Sequence, residues 1–210
     1  MLKKLSRYIP NRNLYIIVVL GPDGSGKSTL ISNLMNEYKN LGNNYYAHLY
    51  PNLNSVQNSQ RIYPYLKKPY SFINTILKII YMILLNFINY IIIFFMKKGT
   101  TIVWCDRFLY DVIADPERYR ISRQFMNLKF IKKMIIKPFL TIIINPPIES
   151  IYKRSKELSY DELLKLSNSY KKLYKYLPES LFINTNESPE QTLKICKKHI
   201  DTLFKNKKIL

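Results

Sequence analysis

The residues best suited to chemistry form one short stretch, Gly21–Thr29, with the sequence GPDGSGKST. The stretch matches the phosphate-binding pattern G-x-x-x-x-G-K-[ST] at every position. In this pattern, backbone N–H groups at a helix N-terminus surround an anion, the lysine reaches the β- and γ-phosphates, and the hydroxyl holds Mg²⁺. We therefore assign Lys27 to the phosphates and Ser28 to magnesium. The other expected nucleotide contacts are Gly21, Pro22, Asp23, Gly24, Ser25, Gly26 and Thr29.

The elements around this stretch are those that the pattern requires. Leu14–Leu20 is a continuous apolar run, which is typical of a strand buried on both faces. Downstream, apolar residues recur at helical spacing from Lys27 to about Leu41, and we expect Gly42 to follow the C-cap of that helix. A glycine-rich turn that binds nothing is the alternative, and the flanking strand and helix argue against it.

Asp106 and Arg107 form the second candidate pair. They follow Thr100–Cys105, another apolar run of the buried-strand type. In open parallel sheets, ligands bind beyond the carboxyl ends of the strands. If the two strands are neighbours, this pair lies beside Gly21–Thr29. The alternative is an ordinary helix start with the aspartate as N-cap.

Strands that alternate with helices predict an α/β protein with a doubly wound sheet. The remaining strands are expected at Tyr45–Leu49, Phe139–Ile144 and Leu181–Asn184, with a turn at Pro51–Asn54 and a loop over residues 55–70. Further helices are expected at about 122–137, at Ile148–Glu157, at Tyr160–Leu177 and from Pro189 onward, with Ser188 as N-cap. We predict a basic lead-in over residues 1–13 and a single domain over residues 14–210.

Composition narrows the class of protein. A hydrophobic content of 47% over 210 residues indicates a globular domain rather than a disordered chain. The two cysteines, Cys105 and Cys196, lack metal-ligand spacing and are expected as reduced thiols in a cytoplasmic protein. Residues Pro10–Asn13 stand where a cleavable signal would have its apolar core, so we expect no such signal.

The net charge of +19 has two interpretations. A polyanionic partner, such as nucleic acid or an anionic membrane, would explain it. A compositional bias toward Lys, Asn, Ile and Tyr, together with phosphate binding, explains it as well. Because the basic residues are spread along the chain, we favour the second interpretation and expect no nucleic-acid partner.

Ile79–Met96 is an uncharged run at the threshold length for a transmembrane helix. A single span would put the two candidate stretches on opposite sides of a membrane, and Asn86 and Asn89 are poor lipid-facing residues. We therefore expect a long, mostly buried helix that ends at Gly99. The alternative is a helix within residues 72–96 that is partly exposed as a dimer face or a peripheral membrane contact.

These motifs together resemble the thymidylate kinase family, over roughly residues 14–205. The resemblance rests on Gly21–Thr29, on Asp106-Arg107-Phe108, on Arg154–Glu157 after a Pro-Pro strand exit, and on Asn184–Pro189. It is strongest to members with an extended Asp-Arg-(aromatic)-x-Tyr-Asp…Asp-Pro-x-Arg-Tyr segment, which is Asp106–Tyr119 in this chain.

The resemblance implies a P-loop NTPase fold of three layers, α/β/α, with a five-stranded parallel sheet and a lid at about 146–160. It implies that Asp23 faces a nucleoside sugar hydroxyl, that Arg107 holds the acceptor phosphate, and that Asp106 helps to position magnesium. A family dimer that packs on helices beside the sheet is also implied.

Lid chemistry separates subgroups of this family. Arg154 and Lys156 match the basic lid residues, whereas Gly24 occupies the loop position that is basic in other members. The chain therefore resembles the bacterial-type arrangement. A solvated helix face with i,i+3 charge pairs is the alternative for Arg154 and Lys156.

The implied activity is Mg²⁺-dependent phosphoryl transfer from ATP to dTMP, with Lys27, Asp106, Arg107 and Arg154 as catalytic residues. The thymine-reading stretch of the family is replaced by Leu109–Asp115, and the arginine-bearing segment after the second strand is missing. Two alternatives therefore stay open: a kinase of a nucleoside or sugar, and a non-catalytic ATP-binding protein that engages nucleic acid or membrane. The remaining candidate substrate contacts are Tyr110, Arg118 and Arg120.

Overall fold

The computed structural model describes residues 12–48, 68–96, 99–123, 136–155, 157–184 and 187–207. Several predictions concern residues outside these ranges. They include most of the lead-in, the turn at Pro51–Asn54, most of the loop over residues 55–70, most of the helix at about 122–137, and Lys156.

Five parallel strands form one sheet in the order β2-β3-β1-β4-β5, which confirms the predicted sheet. The strands are β1 at Arg12–Leu20, β2 at Asn43–His48, β3 at Gly99–Asp106, β4 at Leu140–Ile144 and β5 at Ser180–Ile183. β1 begins two residues inside the predicted lead-in because Arg12 and Asn13 pair with Gly99 and Thr100 of β3.

Six helices and one 3₁₀ turn lie in the described part of the chain. The helices are α1 at Lys27–Glu37, α2 at Phe72–Met96, α3 at Leu109–Ala114, α4 at Ile148–Arg154, α5 at Tyr160–Tyr174 and α6 at Pro189–Asn206, and the 3₁₀ turn is Glu117–Tyr119. The predicted N-cap of α6 is confirmed, because Ser188 and Gln191 cap each other's backbone N–H groups.

Alternate residues of β1 face two separate cores. Val18 and Leu20 pack with α3, α5 and Met82 of α2, whereas Ile17 and Val19 pack with α1 and α6. Helices thus cover both faces of the sheet, and the predicted three-layer α/β/α architecture is confirmed. Burial on both faces is the reason that the central strands are continuously apolar.

Gly42 does not end α1 as predicted. The helix stops at Glu37, and Gly42 is not among the glycines with left-handed φ. A Cβ atom at Gly42 would instead lie 2.4 Å from the carbonyl oxygen of Thr100. Close approach between two backbones, rather than helix termination, therefore requires glycine here.

We expect Gly42→Ala to lower the free energy of unfolding by about 1–3 kcal/mol, since the new methyl group overlaps the backbone of β3. Urea denaturation would measure the change. The control is Asn40→Ala, at an exposed position of the same connection, which should change stability by less than about 0.5 kcal/mol. Equal stability of the two variants would contradict this interpretation of Gly42.

The prediction that the apolar helix is mostly buried is wrong. Among the described side chains of α2, only Thr75 and Met82 are buried, since only a narrow strip of the helix reaches the core. Large apolar side chains that are at least 40% exposed are Phe72, Ile73, Ile76, Leu77, Ile80, Tyr81, Leu84, Phe87, Ile88, Ile91 and Phe95. Among the described residues, no helix is long and apolar enough to cross a membrane.

The stop of this helix at Gly99 stays a prediction. Gly99 has a left-handed φ of 78°, but it is also the first residue of β3. Residues 97 and 98, which join it to α2, lie outside the described ranges.

Candidate functional site

The turn between β1 and α1 leaves backbone N–H groups free for a ligand. Gly24 and Gly26 adopt left-handed φ values of 80° and 94°. Gly26 is the N-cap of α1 and supplies no side-chain hydrogen bond to the first turn. Uncapped N–H groups at the positive end of a helix dipole form an anion site. The structure thus gives Gly21–Thr29 the geometry that its sequence predicts.

Lys27 lies under this turn and is only 6% exposed. Its Nζ donates a hydrogen bond to the carbonyl oxygen of Pro22 at 2.6 Å and lies 3.8 Å from the carboxylate of Asp23. Burial, and then the nearby charge of Arg107, lower the pKa of Lys27 to about 8. A phosphate group in the turn would add negative charge beside this buried ammonium group, whose charged form burial disfavours.

Ser28 and Asp106 meet at the mouth of the turn. The pairing of Val19 with Asp106 brings the ends of β1 and β3 together, and the Ser28 hydroxyl donates to Asp106 Oδ2 at 2.9 Å. The Tyr46 hydroxyl, which the sequence did not point to, donates to the same oxygen at 3.0 Å. Burial and then the charge of Asp106 raise the pKa of Tyr46 to about 12, so it remains a donor.

The other carboxylate oxygen of Asp106 fits a metal ion. Asp106 Oδ1 is buried and has no hydrogen-bond partner within the described ranges. Mg²⁺ prefers oxygen ligands and binds through one or two carboxylates plus substrate phosphates. An unpartnered carboxylate oxygen beside the Ser28 hydroxyl matches that chemistry.

Arg107 is held between two carboxylates. Its Nη1 donates to Asp111 at 2.7 Å, and its Nη2 donates to Asp23. Burial is the largest single influence and acts to lower the pKa of Arg107, but Asp111, Tyr170 and Tyr119 together outweigh it and the pKa is raised. The backbone φ of 71° is left-handed, a costly conformation for a residue other than glycine. The structure thus fixes a permanently charged guanidinium group at the end of β3.

Asp111 is the central acceptor of a buried network of hydrogen bonds. It is fully buried and accepts hydrogen bonds from the hydroxyl groups of Tyr119 at 2.9 Å and Tyr170 at 2.5 Å, besides that from Arg107. Burial, and then the charge of Asp111, raise the pKa values of both tyrosines. Arg107 is therefore oriented by a carboxylate whose other partners are neutral donors.

Arg118, which belongs to the 3₁₀ turn, binds the same carboxylate of Asp23 as Arg107 does. It pairs with the second carboxylate oxygen of Asp23 and lies 3.4 Å from Asp115 and 4.0 Å from Glu157. Asp23 is consequently bound by two arginines at once, with Lys27 close by.

Two predicted substrate-binding residues, Tyr110 and Arg120, do not line the cavity that contains Lys27 and Arg107. Tyr110 is only 2% exposed and packs against Phe108 in the core. Arg120 donates to the hydroxyl group of Tyr70 at 3.1 Å and to the carbonyl oxygen of Lys68 at 3.0 Å, and lies over the Tyr70 ring. The structure gives both residues packing roles in place of the predicted ones.

Arg154, in the last turn of α4, lies between two cavities. One cavity is lined by Lys27, Asp106, Arg107 and Arg118. The other lies beside the turn and is lined by residues that include Leu30, Ile144, Ile183 and Thr192. The sequence did not point to Ile183 and Thr192, because only the sheet order β1-β4-β5 brings them beside the turn.

The C-terminal end of α4 lies close to the glycine at position 24. A Cβ atom at Gly24 would lie 3.2 Å from the Cβ of Ser155 and 3.4 Å from that of Arg154. With a left-handed φ as well, this position leaves no room for a long basic side chain. Arg154, the last residue of α4, instead brings a basic side chain to the cavity that Lys27 lines.

Comparison with solved structures identifies the fold. The thymidylate kinase of Candida albicans has a TM-score of 0.68 at 16% identity, over 94% of this chain and 94% of that one. The thymidylate kinase of Ehrlichia chaffeensis has a TM-score of 0.56 at 22% identity, over 84% and 89%. A deoxyadenosine kinase from M. mycoides has a TM-score of 0.58 at 14% identity, over 90% and 99%.

Comparison by sequence identifies the family. No curated protein gives a significant match, but the model of the thymidylate kinase family matches residues 19–195. That match includes Gly21–Thr29, Asp106, Arg107 and Arg154, so an enzyme is favoured over a non-catalytic ATP-binding protein. The chain is thus a nucleotide kinase that belongs to the thymidylate kinase family.

Proposed function

We propose that this kinase transfers the γ-phosphoryl group of ATP to dTMP, with Mg²⁺ held by Ser28 and Asp106. The observation that carries the proposal is the 2.9 Å contact between the Ser28 hydroxyl and the Asp106 carboxylate. Both residues line one cavity with Lys27 and Arg107. Phosphoryl transfer depends on positioning and on neutralising charge over the phosphoryl oxygens, and this cavity offers groups for both tasks.

On the donor side, we assign the backbone N–H groups of Gly24–Lys27 and the Lys27 ammonium group to the β- and γ-phosphates. The apolar residues Leu30, Ile144 and Ile183 line the adjoining cavity and are suited to the base of ATP. Arg154 lies at the border of both cavities, where it would face charge that develops during transfer. The bound Mg²⁺ would neutralise β- and γ-phosphate oxygens.

On the acceptor side, two guanidinium groups favour an acceptor that carries a phosphate. Arg107 and Arg118 both bind the carboxylate of Asp23. An acceptor phosphate is also an anion that binds arginine in a bidentate manner, so it can take over these bonds. Asp23 would then be released toward a sugar hydroxyl of the acceptor. A nucleoside or sugar without a phosphate would leave this pair of arginines without a function.

A second candidate, transfer to a nucleoside or another small hydroxyl compound, is supported by the missing base-reading segment. The residues that replace it form α3, whose side chains are almost all buried in the core. These buried side chains leave few exposed groups that could contact the base of a nucleotide. Among proteins of this fold, the Candida albicans thymidylate kinase has broad substrate specificity, and the M. mycoides enzyme is a deoxyadenosine kinase.

Phosphorus NMR of Mg-ATP with a panel of acceptors would test the acceptor directly. We expect a new diphosphate signal with dTMP and weaker signals with other monophosphates. Phosphorylation of nucleosides or sugars without any turnover of dTMP would replace the proposal by the second candidate. Release of inorganic phosphate with no phosphorylated acceptor would argue against both.

We expect Asp106→Asn to raise the Mg²⁺ concentration for half-maximal activity by about 10-fold or more, because an amide oxygen is a weaker ligand than a carboxylate. Activity would be titrated against Mg²⁺ at saturating ATP. The matched control, Tyr46→Phe, removes a donor to the same carboxylate but keeps its charge, and should shift the midpoint much less. An unchanged midpoint in Asp106→Asn would remove this residue from the metal site.

A further inference from the structure

We propose that Asp23 competes with the acceptor phosphate for Arg107 and Arg118, and that this competition makes the kinase select acceptors that carry a phosphate. The Asp23 carboxylate is an internal stand-in for that anion while the acceptor side of the site is empty. Both arginines are assigned to an acceptor phosphate under the proposed function, on which this role of Asp23 rests. It is a second role, beside the sugar hydroxyl contact that the family resemblance implies.

The carboxylate of Asp23 joins the two guanidinium groups. Its Oδ1 accepts a hydrogen bond from Nη2 of Arg107, and its Oδ2 pairs with Nη2 of Arg118. A phosphate monoester also presents several negatively charged oxygens, and arginine binds phosphate and carboxylate with the same fork of N–H groups. Either anion can therefore accept hydrogen bonds from these two nitrogen atoms, but the two anions cannot do so at once.

Each arginine also has a carboxylate partner that is buried. Arg107 donates to Asp111 at 2.7 Å, and Nε of Arg118 donates to Asp115 at 3.4 Å. The side chains of Asp111 and Asp115 are 0% and 3% exposed, whereas that of Asp23 is 28% exposed. Because the buried carboxylates hold the arginines in place, Asp23 is the partner that an incoming anion can replace.

The position of Asp23 makes the replacement obligatory for a phosphate. Asp23 lines the same cavity as Arg107 and Arg118, so a phosphate that reaches both arginines also meets this carboxylate. Two negative groups in contact repel each other strongly in a partly buried site. The phosphate must therefore displace Asp23. A nucleoside or sugar without a phosphate has no anion for this step and leaves both arginines occupied.

The competition has a cost and a benefit. Arg107 is only 6% exposed, and a buried charge that loses a partner is strongly destabilising, so Asp23 stabilises the empty site. The cost falls on the acceptor, because affinity is reduced when the binding-competent state is only a fraction of the protein. Removal of the Asp23 charge should consequently raise the affinity for phosphate, whereas loss of an ordinary substrate contact would lower affinity.

Inorganic phosphate distinguishes the two roles of Asp23, because it carries no sugar hydroxyl. We would titrate it into the parent protein and into Asp23→Asn by isothermal titration calorimetry. We expect binding to be about 5–10-fold tighter in Asp23→Asn, since the neutral amide keeps the shape of the side chain but competes less for guanidinium groups. A role confined to the sugar hydroxyl predicts no such gain, and equal affinities would overturn the proposal.

Two controls separate competition from a general change in charge. Glu157→Gln removes the same charge from a side chain that is 29% exposed and 4.0 Å from Arg118, and should change phosphate affinity by less than about 2-fold. In the background of Arg118→Gln, Asp23→Asn should likewise have an effect below about 2-fold, because the two residues are coupled. An undiminished gain in that background would place the phosphate away from the arginine pair and overturn the proposal.

Thermal unfolding provides a second measurement. Without added anions, Asp23→Asn should unfold at a lower temperature than the parent protein, because two arginines lose a charged partner. Phosphate should raise the unfolding temperature of the variant more than that of the parent protein and reduce the difference between them. Equal shifts in the two proteins would contradict the competition.

Turnover of dTMP is a separate readout, which tests the proposed function. Tighter phosphate binding by Asp23→Asn, together with no turnover of dTMP by the parent protein, would support the competition and reject dTMP as the acceptor. Turnover of dTMP with no gain in phosphate affinity would overturn the competition alone.

Discussion

Lys27→Met should lower kcat by about 10²–10³-fold, since it removes one preorganised positive group from the site of charge transfer. The same variant should be no less stable than the parent protein at neutral pH. The pKa of Lys27 in the folded protein, about 8, lies below the ordinary value of 10.5. Its charge therefore costs folding free energy while no phosphate is bound, and methionine avoids that cost.

Steady-state kinetics and thermal unfolding would measure the two effects side by side. A control for loss of packing is Leu30→Ala, a buried position of the same helix, where stability should fall by about 2–5 kcal/mol. Full activity of Lys27→Met would remove the lysine from the site. Lost activity together with strongly reduced stability would instead assign Lys27 a structural role.

Asp111→Ala should destabilise the fold by about 3–5 kcal/mol, because it leaves the buried Arg107 guanidinium group without its main partner. Two buried tyrosine hydroxyl groups, those of Tyr119 and Tyr170, lose their acceptor as well. Asp111→Asn keeps the shape and one acceptor oxygen and should cost less. Urea denaturation would measure both variants.

Kinetics of Asp111→Asn would show whether this residue positions Arg107 for the reaction. We expect the KM for the acceptor to rise several-fold while the KM for ATP is unchanged, because Arg107 is assigned to the acceptor phosphate. Tyr170→Phe is the control: it removes one donor to Asp111, keeps the pairing with Arg107, and should lower stability by about 0.5–1.5 kcal/mol. An unchanged acceptor KM would limit Asp111 to a structural role.

The sequence alone determined the features that depend on neighbouring residues. Gly21–Thr29 forms its turn within one connection, so its strand, helix and anion geometry follow from local spacing. Apolar runs separated by helical patterns were enough to predict a five-stranded sheet covered on both faces. The sequence also predicted that Asp106 and Arg107 lie beside Gly21–Thr29, because they follow a strand and the carboxyl ends of parallel strands meet at one edge of the sheet.

The tertiary structure decided the direction in which individual side chains point. Arg118 and Arg120 stand two residues apart, and the 3₁₀ turn with a left-handed φ of 59° at Arg120 sends one to Asp23 and the other to Tyr70. Tyr110 and Asp111 are adjacent, yet one fills the core and the other holds Arg107.

Long-range packing also determined two features that the spacing of residues in the sequence could not predict. Ile183 and Thr192 line a cavity beside the turn only because β4 and β5 follow β1 in the sheet. The apolar sequence of α2 predicted burial, but the domain supplies packing partners for only one strip of that helix. An apolar sequence pattern predicts that a helix has an apolar surface. Only the tertiary structure shows whether other parts of the same chain bury that surface.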